Sequence, residues 1–163
     1  MLENGFLVDG KYKILDVIGR GGMSIVYLAI NEKANRSWAV KELIRTDPRA
    51  AGISKKETDL LKKLHHPGIA GIVDVIEQKE SQLIVMDYVE GIAIDDTATL
   101  TAAGYDCAEI GEKLVDNFAT QMLDDGFFHA DPHPGNIVVS GRKIVYMDLG
   151  IMGRLSSRDR SAL

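Results

Sequence analysis

Short apolar-rich runs separated by glycine and polar stretches fill much of the first half of this chain, and they predict strands. Three β segments are expected at 12–18, 25–30 and 37–43. Gly19, Gly21 and Gly22 punctuate the first gap and the polar run 31–36 fills the second. A helix should follow over about 55–65. Ser54 with Glu57 three residues on makes a capping-box start, Leu60, Leu61 and Leu64 form an apolar stripe, and Pro67-Gly68 marks the stop. Two more strands are expected at 69–77 and 82–89, joined at Lys79-Glu80-Ser81, and Gly91 then marks a boundary.

Beyond Gly91 the pattern changes. Asp106 and Glu109 form a second capping-box pair that opens a helix to about Asp125. Its apolar positions Ile110, Leu114, Phe118 and Met122 recur every four residues, and Gly126 suits the position just past the end. A hairpin is expected from 137–139 and 144–146 around Ser140-Gly141-Arg142. The order predicts an α+β chain of two lobes. Residues 1–91 would hold a five-stranded antiparallel sheet with one helix, and residues 92–163 a smaller lobe.

Composition narrows the classes of function. The net charge of −5 provides no basic footprint for nucleic acid or anionic membrane. Apolar runs of about six residues fall far short of the ~20 that a membrane-spanning helix needs. The start Met1-Leu2-Glu3-Asn4-Gly5 lacks the order of a secretion signal, and one cysteine, Cys107, forms no internal disulfide. A cytoplasmic setting is expected.

The chemistry is concentrated at Phe128-His129-Ala130-Asp131-Pro132-His133-Pro134-Gly135-Asn136 and Met147-Asp148-Leu149-Gly150. Two carboxylates and an amide between strand-like runs suit a magnesium–phosphate site, because this metal takes hard oxygens and only one or two from protein. The remaining carboxylate is then available to orient an attacking hydroxyl or accept its proton. His129-x-Asp131-x-His133 also alternates as a zinc triad would, but His65, His66 and Cys107 are not placed to complete such a set.

Upstream, Gly19-Arg20-Gly21-Gly22-Met23-Ser24-Ile25-Val26 is a glycine loop in which backbone N–H groups can approach phosphate oxygens. Because 25–30 alternates like a strand, the loop does not open a helix as a dinucleotide fingerprint does. Ala39-Val40-Lys41 puts a lysine in an apolar strand on the same face as Ala39. Glu57 shares the buried stripe of its helix, where a carboxylate needs a partner, and Lys41 is the expected one.

Taken in order, the glycine loop, A-x-K, the helix Glu, Met86-Asp87-Tyr88-Val89-Glu90-Gly91, H-x-D-x-x-x-x-N and D-L-G resemble the protein-kinase-like superfamily over about residues 10–155. Residues 10–91 resemble bacterial Ser/Thr protein kinases. Residues 91–163 resemble the UbiB/ADCK atypical kinases, and Asp131-x-His133-Pro134-Gly135-Asn136 is also similar to small-molecule kinases. The resemblance implies ATP and Mg as cofactors. Gly19, Gly21, Gly22 and Ser24 would cover the phosphates, Lys41 would hold the α/β-phosphates, and Glu57 would hold Lys41. Backbone groups of Asp87 and Val89 would bind adenine, with Met86 as gatekeeper and Val26 and Ala39 against the ring. Asp131 would be the catalytic carboxylate, Asn136 and Asp148 the magnesium ligands, and Leu61, His129 and Leu149 a regulatory spine. The side chains of 41, 131, 136 and 148 would face one cleft.

The departures also carry expectations. Ser24 replaces the last loop glycine, Ala130 replaces an arginine that reads a phosphorylated activation loop, and His133 stands where Ser/Thr kinases keep a lysine near the transferred phosphate. The K-x-G-Q segment of UbiB-type proteins is absent. Thirteen residues follow Gly150, without A-P-E, so a truncated C-lobe and self-association through the surface it leaves are expected. The leading function is Mg-ATP-dependent phosphoryl transfer to an unknown protein or small-molecule acceptor. The alternatives are a non-catalytic ATP-binding scaffold and a small-molecule or lipid kinase.

Overall fold

The computed structural model describes residues 1–21, 24–44, 59, 62–63, 65–147 and 152–160. They divide into two compact units, Met1–His66 with Ala70–Tyr88 and Pro67–Ile69 with Val89–Leu163.

The first unit is built on one antiparallel sheet. Its strands are β1 (Leu7–Val8), β2 (Tyr12–Arg20), β3 (Ser24–Asn31), β4 (Arg36–Ile44), β5 (Ile72–Glu77) and β6 (Ser81–Asp87), in the order β1-β2-β3-β4-β6-β5. Five strands were expected and six form. The additional one is β1, which pairs Leu7 with Lys13 and Val8 with Tyr12. Its hairpin turns on Asp9 and Gly10, at φ 49° and 64°, and Lys11 N–H donates to Val8 C=O at 3.0 Å. Two successive positive φ angles at the centre of the turn match the twist of the flanking strands, Asp-Gly is a strong signal for such a turn, and Lys11 completes the three-residue connection. A two-residue strand, however, is too short to show periodicity.

β4 is central, and alternation along it separates two apolar layers. Trp38 and Val40 pack with Tyr12, Ile14, Tyr27, Leu83 and Val85 on one side, whereas Ala39 packs with Ile84 and Met86 on the other. With both faces covered, β6 is buried at six positions in a row. Strand β2 departs from simple pairing. Its register against β3 shifts between Ile14 and Asp16 and again between Val17 and Gly19. Such bulges bend a strand and increase its twist, here just before the glycine loop.

One buried charge is built into this sheet. Glu42 is 6% exposed and accepts a 2.6 Å hydrogen bond from the Tyr27 hydroxyl. That hydroxyl in turn accepts from Leu2 N–H at 2.9 Å. Burial first, and then the bond to Glu42, push the Tyr27 phenol up to about 12.

The second unit runs β7 (Ile92–Ala93), α1 (Thr97–Ala102), α2 (Cys107–Ala119), a π-helical turn (Thr120–Asp125), β8 (Phe127–His129), a 3-10 turn (Pro134–Asn136), β9 (Ile137–Ser140), β10 (Lys143–Tyr146), β11 (Met152–Arg154) and α3 (Ser157–Arg160). The β9–β10 hairpin forms, with β7 added beside β9, and β8 pairs with β11. The Asp106 carboxylate caps α2 by accepting from Ala108 N–H and Glu109 N–H, while the Glu109 carboxylate pairs with Lys113 one turn on. A strict four-residue repeat drifts by about 40° per turn against an α-helix. The wider i→i+5 turn at Thr120–Asp125 absorbs part of that drift. Gly126 then ends the helix at φ 64°, in the left-handed region where glycine has no side-chain penalty.

The helix expected over 55–65 lies mostly outside the described residues, together with Ser54 and Glu57; Asp59 is helical. Replacing Tyr27 by Phe leaves the Glu42 carboxylate and Leu2 N–H without their shared partner, at an expected cost of about 1–3 kcal/mol in urea unfolding at neutral pH. The raised phenol also gives a pH signature. The unfolded chain releases this proton near its ordinary value of 10 and the folded protein near 12, so stability should fall as pH rises across that window. A wild-type slope that Tyr27→Phe does not reduce would refute this account.

Candidate functional site

The loop between β8 and β9 is held by its own backbone and imidazoles. Asp131 N–H donates to His129 Nδ1 at 3.1 Å, and Asn136 Nδ2 donates to Asp131 C=O at 3.3 Å. Asn136 N–H donates to His133 C=O at 2.9 Å, and Gly135 N–H donates to His133 Nδ1 at 3.1 Å. Pro134 begins the 3-10 turn, where its fixed φ is already suitable and its missing N–H is not needed. Met147 N–H donates to Asn136 C=O at 2.8 Å, which fixes the chain immediately before Asp148 in sequence.

Both histidines accept at Nδ1, so in the neutral imidazole the proton sits on Nε2. For His133 this puts the Nε2–H 3.8 Å from Asp131 Oδ2, with both side chains about half exposed. His129 differs: it is 2% exposed and stacks on Tyr146, with ring centroids 5.5 Å apart and planes at 25°. Burial raises the Tyr146 phenol above its ordinary value, and a bond with the Gln121 side chain partly offsets this. The Tyr146 hydroxyl donates to Asn117 Oδ1 at 3.0 Å.

The chemical capacity of the loop follows from these bonds. Asp131 presents a carboxylate on a restrained backbone. With its nitrogen engaged, the Asn136 amide retains Oδ1, a hard oxygen of the kind magnesium takes. Zinc is a poorer fit, because His129 and His133 each use Nδ1 on a backbone N–H. Among the described residues no three His, Cys, Asp or Glu side chains gather as a metal cluster.

In the first unit, Val26 pairs across the sheet with Lys41, and Ala39 pairs with Met86. Val26 packs against Ala39, Ile84 and Met86, and alternation puts Lys41 on that same face, half-buried. Asp87 is fixed at three points. Its carboxylate accepts from Arg36 Nη2 at 2.6 Å and from Gly71 N–H at 3.1 Å, and its own N–H donates to Gly71 C=O at 2.9 Å. In the glycine loop, Gly19 pairs with Val26 and Gly21 N–H donates to Ser24 C=O at 2.8 Å. Neither glycine has a positive φ, and a Cβ at either would meet its nearest atoms at 3.6 and 3.5 Å, ordinary contact distances.

The structure therefore brings Asp131, His133 and Asn136 together, and separately aligns Val26, Ala39, Lys41 and Met86. Val89 begins the long segment of the second unit. Gly22, Glu57, Leu61, Asp148 and Leu149 lie outside the described residues. An apolar hollow of about 440 Å³ in the second unit is lined by Leu114, Phe118, Met122, Pro132 and Tyr146, among others. Its walls offer almost nothing to a triphosphate. Sequence reasoning missed Asn117 and Gln121, polar residues four apart on the helix that leads to the loop.

Residues 40–163 match the ABC1 atypical kinase-like domain. The chain belongs to this family. The probable protein kinase UbiB of Shewanella woodyi is 43% identical over 88 residues, covering 51% of this chain and 16% of that protein. Among solved structures, the Mycobacterium tuberculosis PknI kinase domain is 26% identical with a TM-score of 0.68, over 93% of this chain and 64% of that one. Rad53 1-466 in complex with AMP-PNP is also 26% identical with a TM-score of 0.65, over 86% and 38% respectively. The chain has a protein-kinase-like α+β fold with UbiB/ADCK character. It spans 12 to 16% of the length of the curated relatives it matches. Among the described residues, no helix is long and apolar enough to cross a membrane.

The loop geometry makes a prediction of its own. A Cβ at Gly135 would lie 2.9 Å from His133 Cε1, so Gly135→Ala should swing the imidazole away and release its cap. The expected result is loss of the His133 tautomer preference in nitrogen-detected NMR, with about 0.5–2 kcal/mol of destabilisation. Unchanged imidazole signals would show that the cap does not hold the ring.

Proposed function

We propose that this protein binds Mg-ATP and transfers the γ-phosphoryl group to a hydroxyl of a protein or small molecule, or to water. The observation that carries the reading is the closed set of hydrogen bonds over 129–136, which restrains the backbone on both sides of the Asp131 carboxylate. Phosphoryl transfer depends mainly on positioning and charge neutralisation, so such restraint is what the chemistry needs.

Lys41 neutralises the α- and β-phosphates, with Glu57 as its carboxylate partner. The loop of Gly19, Gly21, Gly22 and Ser24 covers the phosphates, held closed by the bond from Gly21 N–H to Ser24 C=O. Support comes from Gly19 and Gly21, whose lack of a side chain is required neither by positive φ nor by contacts within the protein. Val26 and Ala39 flank the base, Met86 limits its depth, and the Asp87 carbonyl and Val89 backbone bind its edge. The Asp87 N–H is already engaged with Gly71, which leaves the carbonyl for the base. Asp131 orients the attacking hydroxyl and accepts its proton. His133 presents Nε2–H beside it, a weaker screen of phosphate charge than a lysine ammonium. Asn136 Oδ1 and Asp148 hold the magnesium, which when bound neutralises charge on the phosphate oxygens. The fold shared with Rad53, solved with AMP-PNP, supports a nucleotide ligand.

A magnesium-dependent ATP titration followed by thermal shift, paired with phosphate release, tests the reading. Wild type should be stabilised by ATP more strongly with magnesium than without. Lys41→Ala should weaken ATP binding at least tenfold, and Asp148→Ala should remove the magnesium dependence and reduce turnover by about 100-fold or more. Unchanged turnover in Asp148→Ala would place the chemistry elsewhere. Binding without turnover in wild type would establish the scaffold reading instead.

A further inference from the structure

The helix before the catalytic loop carries a chain of hydrogen bonds that ends at the Asp131 backbone. Gln121 lies in the π-helical turn Thr120–Asp125, one turn beyond Asn117 on α2, so the two side chains meet. Gln121 Nε2 donates to Asn117 Oδ1 at 2.7 Å. Gln121 Oε1 accepts from His129 N–H at 3.0 Å, and His129 Nδ1 accepts from Asp131 N–H at 3.1 Å. The Tyr146 hydroxyl donates to the same Asn117 oxygen while its ring stacks on His129. Asn117, Gln121, His129 and Tyr146 thus form a closed circuit of three hydrogen bonds and one ring stack, and Asp131 is tied to it by a fourth hydrogen bond.

The orientation of each amide is determined by its neighbours. Asn117 Oδ1 receives two donors, so its oxygen must face them. Gln121 must then turn its nitrogen to Asn117 and its oxygen to His129. A flipped amide would set donor against donor at the His129 N–H. His129 is nearly inaccessible to water, so an unmet amide there carries the full penalty of a buried polar group. The π turn, a feature that often marks functional sites, puts Gln121 at the start of this circuit and ends at Gly126, directly before β8.

We propose that Gln121, oriented by Asn117, is a positioning residue for the catalytic loop. It fixes the His129 backbone, His129 fixes the Asp131 backbone, and the Asp131 carboxylate is thereby set for the attacking hydroxyl. Gln121 touches no reacting atom. The proposal rests on Asp131 being the catalytic carboxylate.

Its test combines a kinetic readout with one independent of activity. In Gln121→Leu, amide hydrogen exchange at His129 and Asp131 should accelerate at least tenfold. ATP turnover should show kcat reduced about 10- to 100-fold, the scale of a 1 Å misplacement, with KM for ATP within twofold of wild type. Gln121→Glu keeps an acceptor for His129 N–H and should retain its protection and most of the kcat. If Gln121→Leu does not fold, Asn117→Ala serves instead. That residue is exposed on α2, and its removal should raise exchange at both amides and reduce kcat several-fold. Unchanged exchange in both Gln121→Leu and Asn117→Ala would overturn the proposal, as would a parallel loss in Gln121→Glu. A wild type without ATP turnover would defeat the kinase reading, while the exchange rates would still decide the positioning role.

Discussion

The hydrogen bond from the Asp131 amide to the buried His129 imidazole ties the chemistry of the loop to the packing of its unit. An imidazole with one nitrogen engaged and its ring stacked on Tyr146 has little freedom to reorient. The peptide at Asp131 inherits that rigidity. From there the 3-10 turn carries the restraint through His133 and Gly135 to Asn136, and Met147 extends it to the strand that follows. The loop needs no regular secondary structure for most of its length, because side chains and carbonyls take up its polar groups one by one.

The first unit solves a different problem. A six-stranded sheet covered on both faces must be apolar at nearly every central position, yet this one carries Lys41 and Glu42 side by side in β4. Alternation sends them to opposite layers. Glu42 enters the larger core and is tolerated there because the Tyr27 hydroxyl meets it, whereas Lys41 shares the layer of Val26, Ala39 and Met86. The same geometry that buries one charge leaves its neighbour half-exposed on the face that the proposed function assigns to a nucleotide.

Long strands were legible in the sequence because eight or nine residues give alternation room to appear, as in β2, β3 and β4. The hairpin at 137–146 and the cap at Asp106 were legible for similarly local reasons. The two- and three-residue strands β1, β7, β8 and β11 were not, since their pairing depends on partners rather than on pattern. The π turn was hidden because any single four-residue step, Phe118 to Met122 included, also occurs in an ordinary helix, and only the drift accumulated over several steps tells them apart. Asp131, His133 and Asn136 stood out by their motif. Gln121 did not, because its importance lies in an amide eight residues further on.

Residue order alone determined which side chains share a strand face, that Asp106 caps α2, and which atoms could serve phosphate or metal, since these follow from local geometry and chemical type. Tertiary structure decided that His129 and His133 accept backbone N–H groups at Nδ1, that a two-residue strand closes the sheet's edge, and that Tyr146, Asn117 and Gln121 converge behind the loop. The approach of Tyr146 to Asn117 joins residues 29 apart in the chain, a distance that no local pattern encodes, whereas the histidine bonds and β1 join near neighbours in segments too short to show a pattern.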